Sequence, residues 1–340
     1  MPRHTSLVVT SINPPNPILR ALAEGAMTAG VDFIVAGDAK SPSDFALDGC
    51  RFLDLSAQLG SGFTLAALAP TGHYARKNLG YLEAIRGGAR LLLETDDDNL
   101  PTAGFFAERD RRICVAALAR SGWLNVYRYF SEANIWPRGL PLDAIHDDIP
   151  DYGAIEVHDL DSPIQQGLAD DNPDVDAVFR LTQSLPQRFR TDRRVALGPG
   201  TWCPFNSQNT AWWSDAFPLL YLPSFCSFRM TDIWRSLVAQ RIAGENDWWI
   251  LFHGPTVRQE RNTHDLMRDF ADEIPGYLHN RRIASSLEAL SLGAGRSRLG
   301  ENLYRCYEAL VALGVIDRAE LTLVDAWLAD LVSLDATHRV

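Results

Sequence analysis

The sequence predicts an α/β protein: a parallel sheet with helices packed on its faces, followed by a mainly helical C-terminal extension. Three observations carry this reading. From Ser6 to Leu93, short β-rich apolar runs alternate with helix-periodic segments, the order that builds parallel sheets. From Tyr277 onward, apolar residues recur at helical spacing and strand-like runs are absent. Between these regions, the buried run Ala89–Leu93 ends in a knot of carboxylates, at the strand end where open α/β sheets bind ligands.

Ser6–Ile12 is apolar and β-branched and reads as a first strand, closed by the Pro-rich turn Asn13–Pro17. Ile18, Leu19, Leu22, Ala23 and Ala26 then mark one face of a helix. Val31–Ala36 is a second strand ended by Gly37-Asp38, and Phe52–Leu55 a short third. Arg76 to Gly87 reads as a helix with Leu79, Leu82 and Ile85 on one face and Gly87-Gly88 as its stop. Leu124–Phe130 opens a further β segment, and Pro137–Pro173, rich in Asp, Pro and Gly, predicts long loops. Thr231 is placed to N-cap a helix over Asp232–Ile242. Asp247–His253 reads as an apolar strand ending at His253. Leu287, Leu290, Leu303, Cys306, Tyr307, Leu310 and Val311 follow at helical spacing. A domain change near Pro275 divides the chain into residues 1–275 and 276–340.

With 340 residues, 46% hydrophobic and 22% charged, the chain can bury a large core and is not disordered. A net charge of −11 disfavours nonspecific binding to nucleic acid or to an anionic membrane surface. A nucleotide can still bind if a divalent cation bridges the like charges. No apolar run reaches the ~20 residues of a membrane span. The five cysteines, Cys50, Cys114, Cys203, Cys226 and Cys306, are scattered without a Cys-x-x-Cys pair, which fits small buried residues in a reducing cytoplasm.

The knot is Glu94-Thr95-Asp96-Asp97-Asp98-Asn99. Adjacent carboxylates repel, and the arrangement becomes favourable when a hard divalent cation, magnesium or manganese, sits among them. Alternation along the chain turns Asp96 and Asp98 to one side as metal ligands and Asp97 to the other. The alternative is a solvated acidic turn capping a helix after Pro101. Arg76 and Lys77 open the preceding helix, and two cations at a helix N-terminus suit a diphosphate; the plainer alternative is an exposed basic turn. Asp38, after the second strand, is placed to bind a ribose or a base edge, with a simple turn as its alternative. Thr10, Ser11 and Asn13, at the end of the first strand, join Asp38, Arg76, Lys77, Asp96 and Asp97 in the expected nucleotide-binding set.

These residues also carry a resemblance. Ala75-Arg76-Lys77-Asn78-Leu79-Gly80-Tyr81-Leu82 followed by Glu94-Thr95-Asp96-Asp97-Asp98-Asn99 resembles the STELLO glycosyltransferase family. Further matches are Gln166-Gly167-Leu168, Pro173-Asp174-Val175-Asp176-Ala177, Phe179-Arg180-Leu181-Thr182, Pro204 to Thr210, Phe228 to Arg235, and Val257, Gln259, Arg261-Asn262 and His264. The resemblance spans roughly residues 6–275. It implies a GT-A-like fold, a nucleotide-binding mixed, mostly parallel sheet with a DXD-type metal motif. It further implies a nucleotide-sugar donor, a UDP-sugar, without fixing its sugar or the acceptor; the expected partner is a glycan or glycolipid acceptor. Plant members are membrane-anchored Golgi proteins; no such anchor is present here, so the likeness is to the catalytic domain and a cytoplasmic location is expected. The stretch from Gln166 to Ala177 is also similar to the reversibly glycosylated polypeptides, which act as UDP-arabinopyranose mutases.

On this resemblance an inverting transfer needs a carboxylate to deprotonate the acceptor hydroxyl. Asp232, at a helix start in an aromatic region, is the candidate base, against a plain role in stabilising the helix N-terminus. Asp174 and Asp176 are the runners-up, with strand geometry putting both on one face. His253, or alternatively His264, would complete the metal site. Arg258 and Arg261 could reach the diphosphate when their loop closes. Trp202, Trp212, Trp213 and Trp234 could stack on sugar rings, although core packing also accounts for them. The rival functions are a UDP-sugar mutase, a noncatalytic nucleotide-sugar-binding protein, and a sugar nucleotidyltransferase. The last is disfavoured because Ser11-Ile12-Asn13-Pro14-Pro15 is no glycine-rich basic loop.

Overall fold

Leu7, Val8 and Val9 are buried on both faces of the first strand, as a central parallel strand requires. The computed structural model describes residues 4–260 and 265–338. In chain order the elements are β1 (Thr5–Thr10), α1 (Pro17–Ala29), β2 (Asp32–Ala36), β3 (Cys50–Leu53), α2 (Leu55–Leu59), α3 (Thr64–Leu68), α4 (Lys77–Arg86), β4 (Leu91–Thr95) and β5 (Asn99–Pro101). Then come β6 (Arg112–Leu118), β7 (Gly122–Trp123), β8 (Val157–Asp161), β9 (Ile164–Asp170), α5 (Ala177–Thr182), β10 (Arg194–Leu197), β11 (Thr201–Trp202) and β12 (Asn209–Trp213). The chain ends with α6 (Thr231–Glu245), β13 (Ile250–Gln259), α7 (Leu266–Glu288), α8 (Leu299–Ala312) and α9 (Glu320–His338).

Among the described residues the main sheet runs β3-β2-β1-β4-β12-β9-β13-β10-β6-β8, with β5 paired to β13. The stretch β3-β2-β1-β4 is wholly parallel. β12 then enters antiparallel between β4 and β9, making the sheet mixed. Side-chain alternation divides the core. Leu7, Val9, Phe33, Val35, Leu91 and Leu93 face α1, whereas Val8, Ile34 and Leu92 face α4. α4 lies close on β1: a Cβ on Gly80 would stand 2.6 Å from Val8 Cγ1. Gly80→Ala is therefore expected to destabilise the fold by about 1–3 kcal/mol through overpacking, despite the better helix propensity of alanine. Chemical denaturation would check this, and an unchanged midpoint would show that the layer can shift apart.

Several expectations need correction. β6 was not legible, and the segment expected at Leu124–Phe130 is the two-residue β7 followed by a 3-10 turn at Val126–Tyr129. Thr231 is the first residue of α6 and not its side-chain cap. β13 continues past His253 through Gly254-Pro255 to Gln259, with a register irregularity between His253 and Val257. The boundary expected at Pro275 falls inside α7. The C-terminal helices share one core with the sheet: Ile283, Leu287, Leu303, Tyr307 and Trp327 join the cluster that holds Trp212 and Trp234. Asp330 of α9 reaches back to accept the Thr64 and Leu65 amides of α3 at 2.8 and 2.9 Å. Among the described residues no helix is long and apolar enough to cross a membrane.

Candidate functional site

The carboxyl ends of β1, β2 and β4 open on a cavity of about 480 Å³, within the size range of small-molecule sites. Three local devices aim the acidic turn into it. Glu94, the first residue of the knot, turns inward instead and takes a bidentate ion pair from Arg235 at 2.8 and 2.9 Å, plus bonds from Trp212 Nε1 (2.8 Å) and the Tyr81 hydroxyl. β5 pairs with the end of β13 (Asn99 opposite Gln259), and the Glu260 amide donates to the Asp98 carbonyl at 2.8 Å, which clamps the turn from behind. Antiparallel pairing of β12 with β4 sets Asn209 opposite Thr95, and Thr95 Oγ1 donates to the Gln208 carbonyl at 2.6 Å. This register carries the loop Asn206-Ser207-Gln208 to the cavity wall.

Each aspartate of the turn has its own environment. Asp96 Oδ1 accepts from Lys77 Nζ at 3.0 Å and from the Tyr74 hydroxyl at 2.7 Å; burial pushes its carboxyl up, and Lys77 opposes that. Asp97 Oδ2 accepts from Ser11 Oγ (2.5 Å) and Asn13 Nδ2 (3.1 Å), which ties the turn to the end of β1. Asp98 Oδ2 accepts from Gln259 Nε2 at 3.0 Å. Asp38 lines the cavity as well, and its oxygens hold the Ala39, Gly72 and His73 amides at 2.6–2.9 Å. Thr10, Ser11, Asn13, Asp38, Arg76, Asp96, Asp97 and Asp98 are thus brought to one cavity, with Lys77 directly beneath Asp96.

The opposite wall is built on Arg138. Its guanidinium grips Asp174 through two bonds of 2.7 and 2.9 Å and reaches both oxygens of Asp232 at 2.9 and 3.0 Å. A further bond runs to the Arg229 carbonyl. Burial raises the Asp232 carboxyl, but Arg138 outweighs it and holds the group at about 2. Asp176 is not on this wall. The Asp174-Val175-Asp176 stretch is not a strand but the approach to α5, which Asp176 N-caps by accepting the Phe179 amide at 2.7 Å while Trp136 Nε1 donates to its other oxygen. Burial pushes Asp176 up to about 7, against those two donors. The proton it keeps stabilises the fold fully below the ~4 of an unfolded aspartate, and that stability is lost as pH rises through about 7. The melting temperature of the wild type relative to Asp176→Asn, which cannot ionise, should therefore fall between those values and level off above them; a flat difference would refute the buried proton.

Arg76 borders the cavity but is buried, and its guanidinium is taken up by Gln58 Oε1 (2.6 Å) and the carbonyls of Ala69 and Ala66, so it braces the loop before α4. Other expected residues lie elsewhere. His253 is mid-strand, six residues before Gln259 on β13, on the order of 20 Å at extended spacing. It lines a small separate pocket with Arg109 and Asn209 and is held near pKa 4 by burial, so it does not complete the metal site. Arg258 alternates with Gln259 and points to the other side, where Asp171 and Glu260 pair with it at 3.3 Å. Arg261 and His264 lie outside the described residues. Trp202, Trp212, Trp213 and Trp234 are all core residues, with no more than 5% exposure, and none lines the main cavity. Cys114 is exposed and not buried as expected. The sequence reading gave no role to Tyr74, Arg138, Asn206 or Ser207. The visible hints were an arginine in the Pro137-Arg138-Gly139 turn beside an Asp-rich loop and, for Asn206 and Ser207, their place in the Pro204 to Thr210 motif.

Six carboxylates, of Asp38, Asp96, Asp97, Asp98, Asp174 and Asp232, line the cavity against four cations, Lys40, Arg76, Arg138 and Arg229. Of these cations, Arg76, Arg138 and Arg229 are already bonded within the protein. Such a lining repels a diphosphate unless a cation enters with it. Among the described residues no three His, Cys, Asp or Glu side chains converge on a closed metal site. Magnesium-type sites in nucleotide enzymes need only one or two carboxylates, with waters and phosphate oxygens for the remainder. The oxygen-only donors Asp98 and Asp96 fit that requirement.

Fold and cleft together define the class: an α/β protein with a mixed, mostly parallel sheet flanked by helices and an acidic cleft at its strand ends. Within it, the chain is similar in sequence to the STELLO glycosyltransferases. The family model described as STELLO glycosyltransferases matches residues 229–339. "Probable glycosyltransferase STELLO2" of Arabidopsis thaliana is 28% identical over 345 aligned positions, and "Probable glycosyltransferase STELLO1" 27% over 356; each alignment covers 96% of this chain. The chain spans 44% of the length of these curated relatives. Among solved structures, glucosyl-3-phosphoglycerate synthase from Mycobacterium tuberculosis, in complex with Mn2+, uridine diphosphate and glucosyl-3-phosphoglycerate, aligns with a TM-score of 0.39 at 12% identity over 84% of this chain and 79% of that one. A mycobacterial protein aligns with a TM-score of 0.41 at 12% identity over 82% and 75%. The resemblance carried by the motifs is thus borne out. The family match also extends into the C-terminal helices, beyond the stretch the motifs cover.

Proposed function

We propose that the chain moves a sugar from a nucleotide-diphosphate sugar, a UDP-sugar, to the hydroxyl of a glycan or glycolipid acceptor, with inversion and with manganese or magnesium at the acidic turn. The observation that carries this is the Asp96-Asp97-Asp98 turn at the carboxyl end of β4, clamped from three sides and facing a cavity that also holds the ends of β1 and β2. Kinship with the STELLO glycosyltransferases supports the transfer reading. A divalent cation held by Asp98 and Asp96 would neutralise the leaving diphosphate. Asp97 fixes Ser11 and Asn13, and Asp38 fixes the Gly72-His73 loop, so the nucleotide side of the cavity is organised before a donor arrives. On the acceptor side Asp232 is ionised across the physiological range. Paired to Arg138, it is a weak base, suited to orienting the acceptor hydroxyl and taking its proton only as the new glycosidic bond forms.

That weak basicity favours a second reading, a UDP-sugar mutase, which needs no group to activate an external hydroxyl. Calorimetry of UDP with manganese and with chelator tests the donor site: binding that is indifferent to the metal removes it. A panel of UDP-sugars followed by product analysis separates the rest. Release of UDP with glycosylated acceptor supports transfer, an isomerised UDP-sugar without release supports the mutase, and binding with neither product leaves a noncatalytic receptor.

A further inference from the structure

Between the acidic turn and the Arg138 wall, one hydrogen-bonded chain crosses the cavity. Tyr74 Oη lies 2.7 Å from Asp96 Oδ1 and 2.7 Å from Ser207 Oγ, and Lys77 Nζ donates to it at 2.7 Å. Ser207 Oγ lies 3.3 Å from Asp232 Oδ2, whose other partners are the Ser207 amide (3.2 Å) and Arg138. Lys77 also donates to the Thr95 carbonyl (2.7 Å) and Asp96 (3.0 Å), with the Ser207 carbonyl a longer contact at 3.5 Å. Proton counting makes this chain two-state. Tyr74 and Ser207 have one hydroxyl proton each, but three contacts need one: Tyr74 to Asp96, Tyr74 to Ser207, and Ser207 to Asp232. Two oxygens 2.7 Å apart require a proton between them. Both 2.7 Å contacts therefore hold a proton in the structure as it stands, Ser207 donating to Tyr74 and Tyr74 to Asp96, and the 3.3 Å Ser207–Asp232 contact has none; once Asp96 is drawn away, Tyr74 can donate to Ser207 and Ser207 to Asp232. The hydroxyl bond goes to one carboxylate or the other, never to both.

We propose that Tyr74 and Ser207 are positioning residues that form a hydroxyl switch, coupling occupancy of the donor-side carboxylate Asp96 to the hydrogen bonding of the acceptor-side carboxylate Asp232. When a ligand draws on Asp96, the Tyr74 proton turns to Ser207 and the Ser207 proton turns to Asp232. The opposite setting leaves Asp232 with one donor fewer. No bond is made or broken; two hydroxyl rotors turn. Packing fixes the geometry, since the Tyr74 ring stands edge-on to Phe228, 6.3 Å between centroids, and Ser207 is buried. Linkage requires reciprocity: whatever Asp96 does to Asp232 through this chain, Asp232 does to Asp96.

The inference rests on the donor-site reading above for its functional meaning, but its test begins without ligand. In the full chain, the coupling between Asp96→Asn and Asp232→Asn is measured by a denaturation double-mutant cycle, then repeated in the Ser207→Ala and Tyr74→Phe backgrounds. The coupling is expected to fall by about half or more in each background, with direct charge repulsion as the remainder. A coupling unchanged by both substitutions overturns the switch, whatever the protein binds. The second arm is kinetic. Tyr74→Phe and Ser207→Ala should each lower kcat by about 10-fold or more with donor KM within about threefold, and the double variant should be no worse than the poorer single, because one link is cut twice. Losses that multiply, or that fall wholly on KM, also overturn it. Absence of UDP binding and turnover in the wild type would instead count against the donor-site reading and leave the first arm to decide.

Discussion

Asp98→Ala is expected to weaken manganese-dependent UDP binding on the order of 10²-fold, and turnover by at least as much, while the fold survives. The three aspartates of the turn are not equivalent. Asp96 is spoken for by Lys77 and Tyr74, so its removal strands a buried ammonium and confounds binding with stability. Asp97 holds Ser11 and Asn13, so its removal loosens the junction between the turn and β1. The turn beneath Asp98 is held by its main chain, through the Glu260 amide and the β5–β13 pairing, which alanine retains. What alanine removes is the acceptor of the Gln259 amide and, with it, an oxygen donor in a lining where carboxylates outnumber cations. Calorimetric titration of UDP at fixed manganese checks the prediction, with a thermal melt on the same sample to show the fold intact. Unchanged affinity would mean that the cluster is a solvated turn after all. Asp98→Asn separates charge from shape: it should lose nearly as much if charge holds the cation, and little if only hydrogen bonding matters.

The sequence carried the sheet-forming half of the fold because that half obeys a local rule. Strand runs are apolar throughout, helix faces repeat at their own period, and each transition carries a turn residue, as at Gly37-Asp38 and Gly87-Gly88. The position of the acidic turn was legible for the same reason: the apolar run Leu91–Leu93 ends where the carboxylates begin, and the three aspartates are half-buried at that strand end. Beyond that point the site is made by pairings between residues far apart in the chain. Whether Arg76 faces the cavity or the Ala66 and Ala69 carbonyls depends on how the α2–α3 loop closes over it, and no local pattern encodes that. His253 looked terminal because Gly254-Pro255 usually ends a strand; here the strand absorbs both at an irregularity and continues. Asp174 and Asp176 share a motif but have opposite fates, one gripped by Arg138 and one capping α5. The expected break at Pro275 failed because a proline can remain in a long helix when the packing around it outweighs the lost hydrogen bond. The C-terminal helices are bound in by single carboxylates as well as by apolar contact. Glu320 alone accepts the Ser224 and Phe225 amides and the Tyr221 hydroxyl, fixing the segment that leads to Phe228 at the cavity mouth.

Arg235→Met is expected to cost about 3–5 kcal/mol of stability, the largest single loss among the substitutions considered. Arg235 and Glu94 are 1% and 0% exposed in their side chains and form a bidentate pair 141 residues apart in sequence. Their desolvation is repaid only while both are present. Methionine matches the arginine stem in bulk but leaves the Glu94 carboxylate in the core with Tyr81 and Trp212 as its remaining donors. At ~2.1 cal/mol/K of unfolding entropy per residue, the melting temperature should drop by about 4–7 °C. Glu94→Gln should be costly as well, because it leaves a guanidinium buried against Trp212 without its counter-charge. The decisive measurement is the double variant, Glu94→Gln with Arg235→Met. Removing both charges together should cost less than the sum of the singles by at least about 1 kcal/mol, since neither is then stranded. Strict additivity would show that the pair contributes packing and no electrostatic coupling. The pair also bears on the site, because Glu94 fixes the end of β4 only two residues before Asp96. An Arg235→Met protein that stays folded should bind UDP more weakly with manganese present, although Arg235 does not itself line the cavity.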